Sequence, residues 1–268
     1  MGGAVPFDRV ELDLLGEPLR IHLLGIGGAG MSAIAEVLRS LGHVVSGSDR
    51  ADSPAVQALR SHGIRVEIGH AAQNLGDAQF VGVSTAVKPD NPEVVAARSA
   101  GLAVMHRFDL LKAIGATRST LSVSGTHGKT TTSALLALAL DAADADPSFI
   151  IGSSVVGLGG GSRWSDGPWL VLEADESDST FLAPPRRGGI VTNIEPDHLD
   201  HHGTWDDLVA AFTAFATGTD GPVIVCADDP GSALLIGSGA NVVTYGTVDT
   251  ADVVISGERS RDGGTAWT

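Results

Sequence analysis

The stretch 124-SGTHGKTTTSALLALAL-140 sets a glycine-containing turn between an apolar run and a helical one. A standard phosphate-gripping loop reads G-x-x-x-x-G-K-[ST]; its backbone N–H groups cradle phosphate and its lysine reaches the outer phosphate oxygens. Gly128, Lys129 and Thr130 supply the end of that pattern. The place of its first glycine is held by Val123, and Gly125 stands two residues too close. The surroundings nevertheless suit phosphate. The run 119-STLSVSG-125 predicts a strand and residues 130–140 a helix, so Thr130, Thr131 and Thr132 fall in a first helical turn. Such a turn offers free N–H groups and a positive dipole end to an anion. On this reading Lys129 neutralises phosphate oxygens and the Thr130 hydroxyl holds Mg²⁺. The bland alternative is a capped helix after a β-turn, with Lys129 solvated.

Two segments downstream bear on that choice. In 170-LVLEADESD-178 an apolar strand ends in four acids, at the carboxyl end where α/β proteins bind ligands. Glu173 is the best placed of them for a second Mg²⁺ contact; a solvated acidic turn is the alternative. The segment 192-TNIEPDHLDHHGTW-205 also follows a strand and carries Asn193, Asp197, His198, Asp200, His201 and His202. Zinc is disfavoured there, because the histidines lack a plausible partner set and the single cysteine, Cys226, lies well downstream.

Upstream, 19-LRIHLLGIGGAGMSAIAEVLRSLGHVVSGSD-49 reads as strand, helix and strand. Gly25, Gly27 and Gly30 satisfy G-x-G-x-x-G between the first strand and the helix, and Asp49 ends the next strand 24 residues after Gly25. Glycines there let backbone approach a pyrophosphate at a helix N-terminus, and the acid takes ribose hydroxyls. This geometry recognises a diphosphate bridged to a ribose, so NAD and a UDP-sugar both fit it, and bare strand-turn-helix punctuation is the third option.

Short β-rich runs alternate with helical ones along most of the 268 residues, the pattern of parallel sheets with crossover helices. Further strands are expected near Val66, at 80–85, 102–107, 169–174, 189–194, 222–227 and 241–246, with a hairpin over 252–268 and a Gly-rich loop at 157–162. A break near residues 114–118 divides the chain into 1–116 and 117–268. The formal charge of -15 opposes binding to a phosphate backbone, so nucleic acid is not an expected partner. One cysteine, no basic or apolar leader, and no apolar run of membrane-spanning length predict a cytoplasmic protein without membrane attachment. No obligate protein partner is predicted.

Taken together, 22-HLLGIGGAGMSAIAEVL-38, 46-SGSD-49, 84-STAVKPDNPEV-94, G-T-H-G-K-T-T, 173-EADESDSTFL-182 and 192-TNIEPDHLDHHG-203 resemble the blocks of the Mur ligases. These ATP-dependent enzymes add amino acids to the UDP-sugar precursor of bacterial cell walls, and the short loop is their form of phosphate loop. Within the family the blocks are most similar to the branch that joins L-alanine to UDP-N-acetylmuramate; the murein tripeptide recycling branch and a non-catalytic UDP-sugar-binding module are the alternatives. The resemblance implies a Rossmann-like UDP-sugar-binding domain over 1–116 and a P-loop-type α/β ATPase domain over 117–268 that runs on past Thr268, so the chain is expected to be the N-terminal part of a ligase and weakly active or inactive alone. It implies that Gly27, Gly28, Ala29 and Gly30 hold the UDP diphosphate, and that Asp49 and His70 contact the uridine. It assigns Gly125, Thr126, His127, Gly128, Lys129, Thr130, Thr131 and Asn193 to ATP, with Thr130, Glu173 and His198 binding Mg²⁺ and Lys129, Glu173 and His198 carrying catalysis.

Overall fold

The computed structural model describes residues 7–8, 11–176, 180–197, 203–257, 259–261 and 264–266. The first sheet is built from β1 (Arg20–Leu24), β2 (Val44–Asp49), β3 (Arg65–Ile68), β4 (Phe80–Val83) and β5 (Ala103–His106), in the order β3-β2-β1-β4-β5. Every pairing is parallel. Crossovers run through α1 (Ala29–Ser40), α2 (Pro54–Ser61) and α3 (Pro92–Ser99), and α4 (Arg107–Ala116) follows β5. A parallel strand covered on both faces reads as a continuous apolar run. Central β1 comes close: Ile21, Leu23 and Leu24 are buried apolar residues, with one buried polar residue, His22, among them. In α1 the inward stripe is Met31, Ile34, Ala35 and Leu38, at helical spacing. Sequence also sets the helix starts: Ser53 caps α2 and Asn91 caps α3, each followed by a proline whose missing N–H costs nothing there.

The second sheet comprises β6 (Ser119–Ser124), β7 (Ser148–Val155), β8 (Gly160–Arg163), β9 (Trp169–Glu173), β10 (Gly188–Val191), β11 (Val223–Cys226), β12 (Val242–Gly246) and β13 (Val253–Val254). Their order is β13-β12-β11-β10-β6-β9-β7-β8. The run from β6 through β10, β11 and β12 to β13 is parallel. The long helices are α5 (Lys129–Ala142) and α6 (Trp205–Thr217), the latter opened by a Thr204–Asp207 capping box. Two elements differ from the sequence expectation. The Gly-rich 157–162 is the turn of an antiparallel β7–β8 hairpin and the start of β8, and β7 itself was not expected. Its first half is buried apolar sequence and its second half is exposed, so neither a continuous nor an alternating pattern spans it. At the C-terminal end, β14 (Arg259–Arg261) and β15 (Gly264–Ala266) pair as the expected hairpin, whereas Val253–Val254 extend the main sheet.

By contact density the chain divides into two compact units, residues 1–119 with 136–171, and residues 120–135 with 172–268. In the first, a buried cluster of Leu24, Val81, Val83, Val94, Ala97 and Val104 fills one face of the sheet. The β7–β8 hairpin joins this unit against α1, where Ser162 donates to Glu36 at 3.0 Å. In the second unit Phe181, Phe212 and Phe215 pack among Val191, Val223 and Val225. Buried Arg186 ties the turn before β10 to the end of α6, donating to the carbonyls of Leu182, Pro184 and Gly218 and lying over the Phe215 ring.

Candidate functional sites

In the first unit the carboxyl ends of the central strands open on a cavity of about 600 Å³, lined among others by Gly25, Gly27, Gly28, Asp49, His70 and Ser84. Helix α1 starts here with Gly28 as its cap and no side-chain acceptor for its first-turn amides, so Ala29 and Gly30 belong to an open helix N-terminus. Asp49 faces the same turn: its Oδ2 accepts from the Gly27 N–H at 2.8 Å and its Oδ1 from Ala51 at 3.2 Å. The Arg107 guanidinium reaches the turn from α4; a Cβ added at Gly30 would stand 3.1 Å from its Nη2. Glycine at position 30 therefore leaves room for a cation beside the helix end, where an anion would sit. The residues expected to bind substrate, Gly27, Gly28, Ala29, Gly30, Asp49 and His70, thus gather at one end of one sheet, four of them lining the cavity itself.

Beneath the cavity lies a buried carboxylate. Glu93, in the first turn of α3, accepts at Oε2 from Ser48 (2.6 Å) and His22 (3.2 Å), and at Oε1 from the Asn74 amide (2.6 Å) and the Ala71 N–H (3.0 Å). Burial alone would push this carboxyl up; the bonds from His22, Ser48, Asn74 and Ala71 outweigh it and hold the group at about 2. Ser48 also meets His70 Nδ1 at 3.0 Å.

In the second unit the turn from β6 into α5 holds Gly125, Thr126, His127 and Gly128. Gly125 has φ +132° and lies so close to Thr192 that a Cβ would collide with its hydroxyl. The turn is latched to the end of β10: His127 N–H donates to Asn193 Oδ1 (2.8 Å), Asn193 Nδ2 donates to His127 O (3.1 Å), and Thr126 N–H donates to Asn193 O (3.0 Å). Asn193, which the resemblance assigns to ATP, spends its carboxamide on the loop's backbone. His127, Gly128 and Thr131 are exposed, and Thr126 is buried. Lys129 folds back over the loop, its Nζ donating to Gly125 O (2.8 Å) and Thr126 O (3.2 Å) and pairing with Glu176 at 2.8 Å. Burial pushes the Glu176 carboxyl up, and the Lys129 ammonium offsets part of that. The Thr130 hydroxyl donates to Glu173 Oε1 at 2.7 Å. Two hard oxygen ligands so close together, one from the first turn of α5 and one from the end of β9, fit Mg²⁺, which takes few protein ligands and keeps several waters. His198, the third expected metal ligand, lies outside the described residues, as do the neighbouring Asp200, His201 and His202. Among the described residues no cluster of three or more His, Cys, Asp or Glu side chains could hold a metal ion, and no helix is long and apolar enough to cross a membrane.

Residues 20–119 match the family model described as Mur ligase family, catalytic domain, and residues 123–266 match that of the Mur ligase middle domain. The chain belongs to the Mur ligase family. Curated relatives of this Mur ligase chain include proteins named UDP-N-acetylmuramate--L-alanine ligase from Rhizobium meliloti, 48% identical over 87% of this chain and 50% of that protein, and from Agrobacterium fabrum, 46% identical over 89% and 52%. The chain spans about half the length of these relatives. A solved UDP-N-acetylmuramate-alanine ligase from Thermotoga maritima superposes with a TM-score of 0.81 at 31% identity, covering 90% of this chain and 55% of that one. A UDP-N-acetylmuramate:L-alanyl-gamma-D-glutamyl-meso-diaminopimelate ligase from Neisseria meningitides gives 0.85 at 25% identity, over 94% and 84%. The Rossmann-like unit and the P-loop-type α/β unit expected from the sequence are those of this Mur ligase fold.

Four residues that the sequence reading did not single out stand beside the two candidate sites: Arg107 at the glycine turn, Ser48 and Glu93 beneath the cavity, and Glu176 at the phosphate loop. Glu176 sits in the quoted acidic run, where its burial could have been suspected from the apolar strand before it. Glu93 reads in sequence only as an acid in a helix first turn.

Proposed function

We propose that this chain carries the UDP-sugar and ATP sites of a ligase that joins L-alanine to UDP-N-acetylmuramate in peptidoglycan precursor synthesis. The observation that carries the reading is the head of α5: Lys129 at the mouth of a glycine turn, with the Thr130 hydroxyl 2.7 Å from Glu173. A dinucleotide-dependent oxidoreductase has no use for that arrangement, and a simple kinase has none for the glycine cavity of the first unit. The names of the relatives at 46–48% identity support L-alanine as the amino acid.

In this account Gly27, Gly28, Ala29 and Gly30 receive the diphosphate of the UDP-sugar, helped by Arg107, while Asp49 and His70 contact the uridine. Gly125 to Gly128 and Thr131 surround the ATP phosphates and Asn193 keeps their loop in shape. Lys129 exchanges its Glu176 partner for phosphate oxygens. Thr130 and Glu173, with His198, would hold Mg²⁺, which supplies positive charge against the crowded phosphates. The lactyl carboxylate of the sugar takes the γ-phosphoryl group, and the amine of L-alanine then displaces phosphate from the acyl phosphate. A carboxylate must approach a triphosphate, so the work of the site is cancelling repulsion with fixed cations and helix dipoles.

Incubating the protein with ATP, Mg²⁺, UDP-N-acetylmuramate and either L-alanine or the murein tripeptide, and weighing the products by mass spectrometry, tests this. The expected product, formed at a low level by this chain alone because it spans about half the length of its relatives, is UDP-N-acetylmuramoyl-L-alanine. Condensation with the tripeptide in preference to L-alanine, or ATP turnover indifferent to the UDP-sugar, would contradict it.

A further inference from the structure

With both histidines neutral, the hydrogen-bond chain under the glycine cavity has one consistent assignment of protons. An ionised carboxylate accepts and cannot donate. Glu93 Oε2 accepts the Ser48 hydroxyl at 2.6 Å, and a hydroxyl has one proton. Toward His70, 3.0 Å away at Nδ1, Ser48 Oγ can therefore only accept, so His70 Nδ1 must carry the hydrogen. In a neutral imidazole the other nitrogen then has a bare lone pair. That nitrogen, Nε2, has no hydrogen-bond partner among the described residues, and the ring lines the cavity. His22 closes the far side in the same sense: Nε2 donates to Glu93 Oε2, leaving its Nδ1 to accept from Ser46 Oγ at 2.9 Å.

Position says what His70 would meet. A diphosphate at the start of α1 and a ribose at Asp49, which ends β2, direct the base outward along the sheet to the end of the next strand, β3. His70 follows β3 by two residues. We infer that Glu93 is a positioning residue that acts through Ser48 to fix His70 with Nε2 as a hydrogen-bond acceptor, and that this acceptor selects a base edge carrying an N–H, such as N3–H of uracil, over one presenting a lone pair, such as N3 of cytosine. The inference deepens the UDP-sugar reading above and rests on it.

Glu93→Gln makes the test sharp, because the change inverts the chain. The Ala71 N–H, with the Asn74 amide beside it, obliges the glutamine carbonyl to take the Oε1 side. Its NH₂ then faces Ser48 and donates, the Ser48 hydroxyl is released to donate to His70 Nδ1, and the ring proton moves to Nε2. With ¹⁵N-histidine-labelled protein at pH 8, the expected result is an Nδ1–H tautomer for His70 in the wild type and an Nε2–H tautomer in Glu93→Gln. Affinities for UDP and CDP, measured by calorimetry on the same samples, should favour UDP by at least about tenfold in the wild type. That preference should fall about tenfold in Glu93→Gln and disappear in His70→Ala. A wild-type Nε2–H tautomer, or a UDP preference that survives in His70→Ala, overturns the proposal. Equal binding of UDP and CDP to the wild type overturns it too while leaving the nucleotide site intact. Binding of neither, with saturable binding of NAD, shows instead that the UDP-sugar reading has failed.

Discussion

Lys129→Met keeps most of the aliphatic stem and removes the ammonium that pairs with Glu176. The two side chains are 14% and 1% exposed, so this is close to a buried pair. Deleting one member of such a pair typically costs about 3–5 kcal/mol, and since Lys129 keeps some contact with solvent the lower end, about 3 kcal/mol, applies here. For a chain of this size that corresponds to a fall in Tm of roughly 6–12 °C. The loss should also depend on pH. Burial pushes Glu176 above its ordinary value of 4.5 and Lys129 holds it back, so the substitution raises it further. A carboxyl raised in the folded state contributes fully below its unfolded value and costs stability as pH rises through the folded one. The gap between wild type and Lys129→Met should therefore be small near pH 4.5 and widen toward pH 8. Adding Glu176→Gln to Lys129→Met removes the stranded charge and should recover most of the stability without recovering affinity for ATP and Mg²⁺. Thermal denaturation across pH 5–8, with calorimetric ATP binding on the same proteins, reads both. A stability loss that does not vary with pH, or a double variant no more stable than the single one, would refute the ion-pair argument; a double variant that binds ATP normally would remove Lys129 from the phosphate site.

Asp49→Ala should weaken UDP-N-acetylmuramate binding about 10- to 100-fold, since it removes a charged acceptor from the Gly27 N–H and, in the proposed binding mode, from the ribose; ATP affinity measured in parallel should not change. Thr130→Ala and Glu173→Ala should each lower ATP affinity about tenfold in Mg²⁺ and erase most of the difference between Mg²⁺ and EDTA, with UDP-sugar binding intact; a full Mg²⁺ dependence in either variant would take that residue out of the metal site. Glu93 titrates in the opposite sense to Glu176: its folded value of about 2 lies below the ordinary 4.5, so its contribution, about 3 kcal/mol, is present above pH 4.5 and lost as pH falls toward 2. Chemical denaturation of wild type and Glu93→Gln over that window should show the two converging in acid.

What the sequence disclosed was what short-range spacing encodes. Gly25, Gly27 and Gly30 sit on a strand-to-helix turn, and Asp49 ends the next strand, so both the turn and its acid could be placed by counting. The loop at Gly125–Thr130 was legible for the same reason, although its spacing departs from the commoner phosphate loop. Glu93 was not, because its role comes from the register of β1 with β2, which brings His22 beside Ser46 and Ser48 near a helix distant in sequence. Arg107 was hidden likewise: it opens α4, and only the packing of α4 near Gly30 gives it a place in the site. Asn193 was assigned to ATP by the resemblance; that its carboxamide bonds the His127 backbone could not be read from the sequence, because it depends on how the loop meets the end of β10. Strand β7 escaped because half of it is buried and half exposed.

The central claim, two separate sites for a UDP-sugar and for ATP on one chain, is tested most directly by titrating the purified 268-residue protein with UDP-N-acetylmuramate, NAD and ATP plus Mg²⁺ while recording its Tm. A ligand at 100 times its Kd stabilises the folded state by about 2.7 kcal/mol, several degrees for a protein of this size. The account predicts saturable upward shifts with UDP-N-acetylmuramate and with ATP plus Mg²⁺, additive when both are present, and none with NAD. A saturable shift with NAD and no response to UDP-N-acetylmuramate would contradict it.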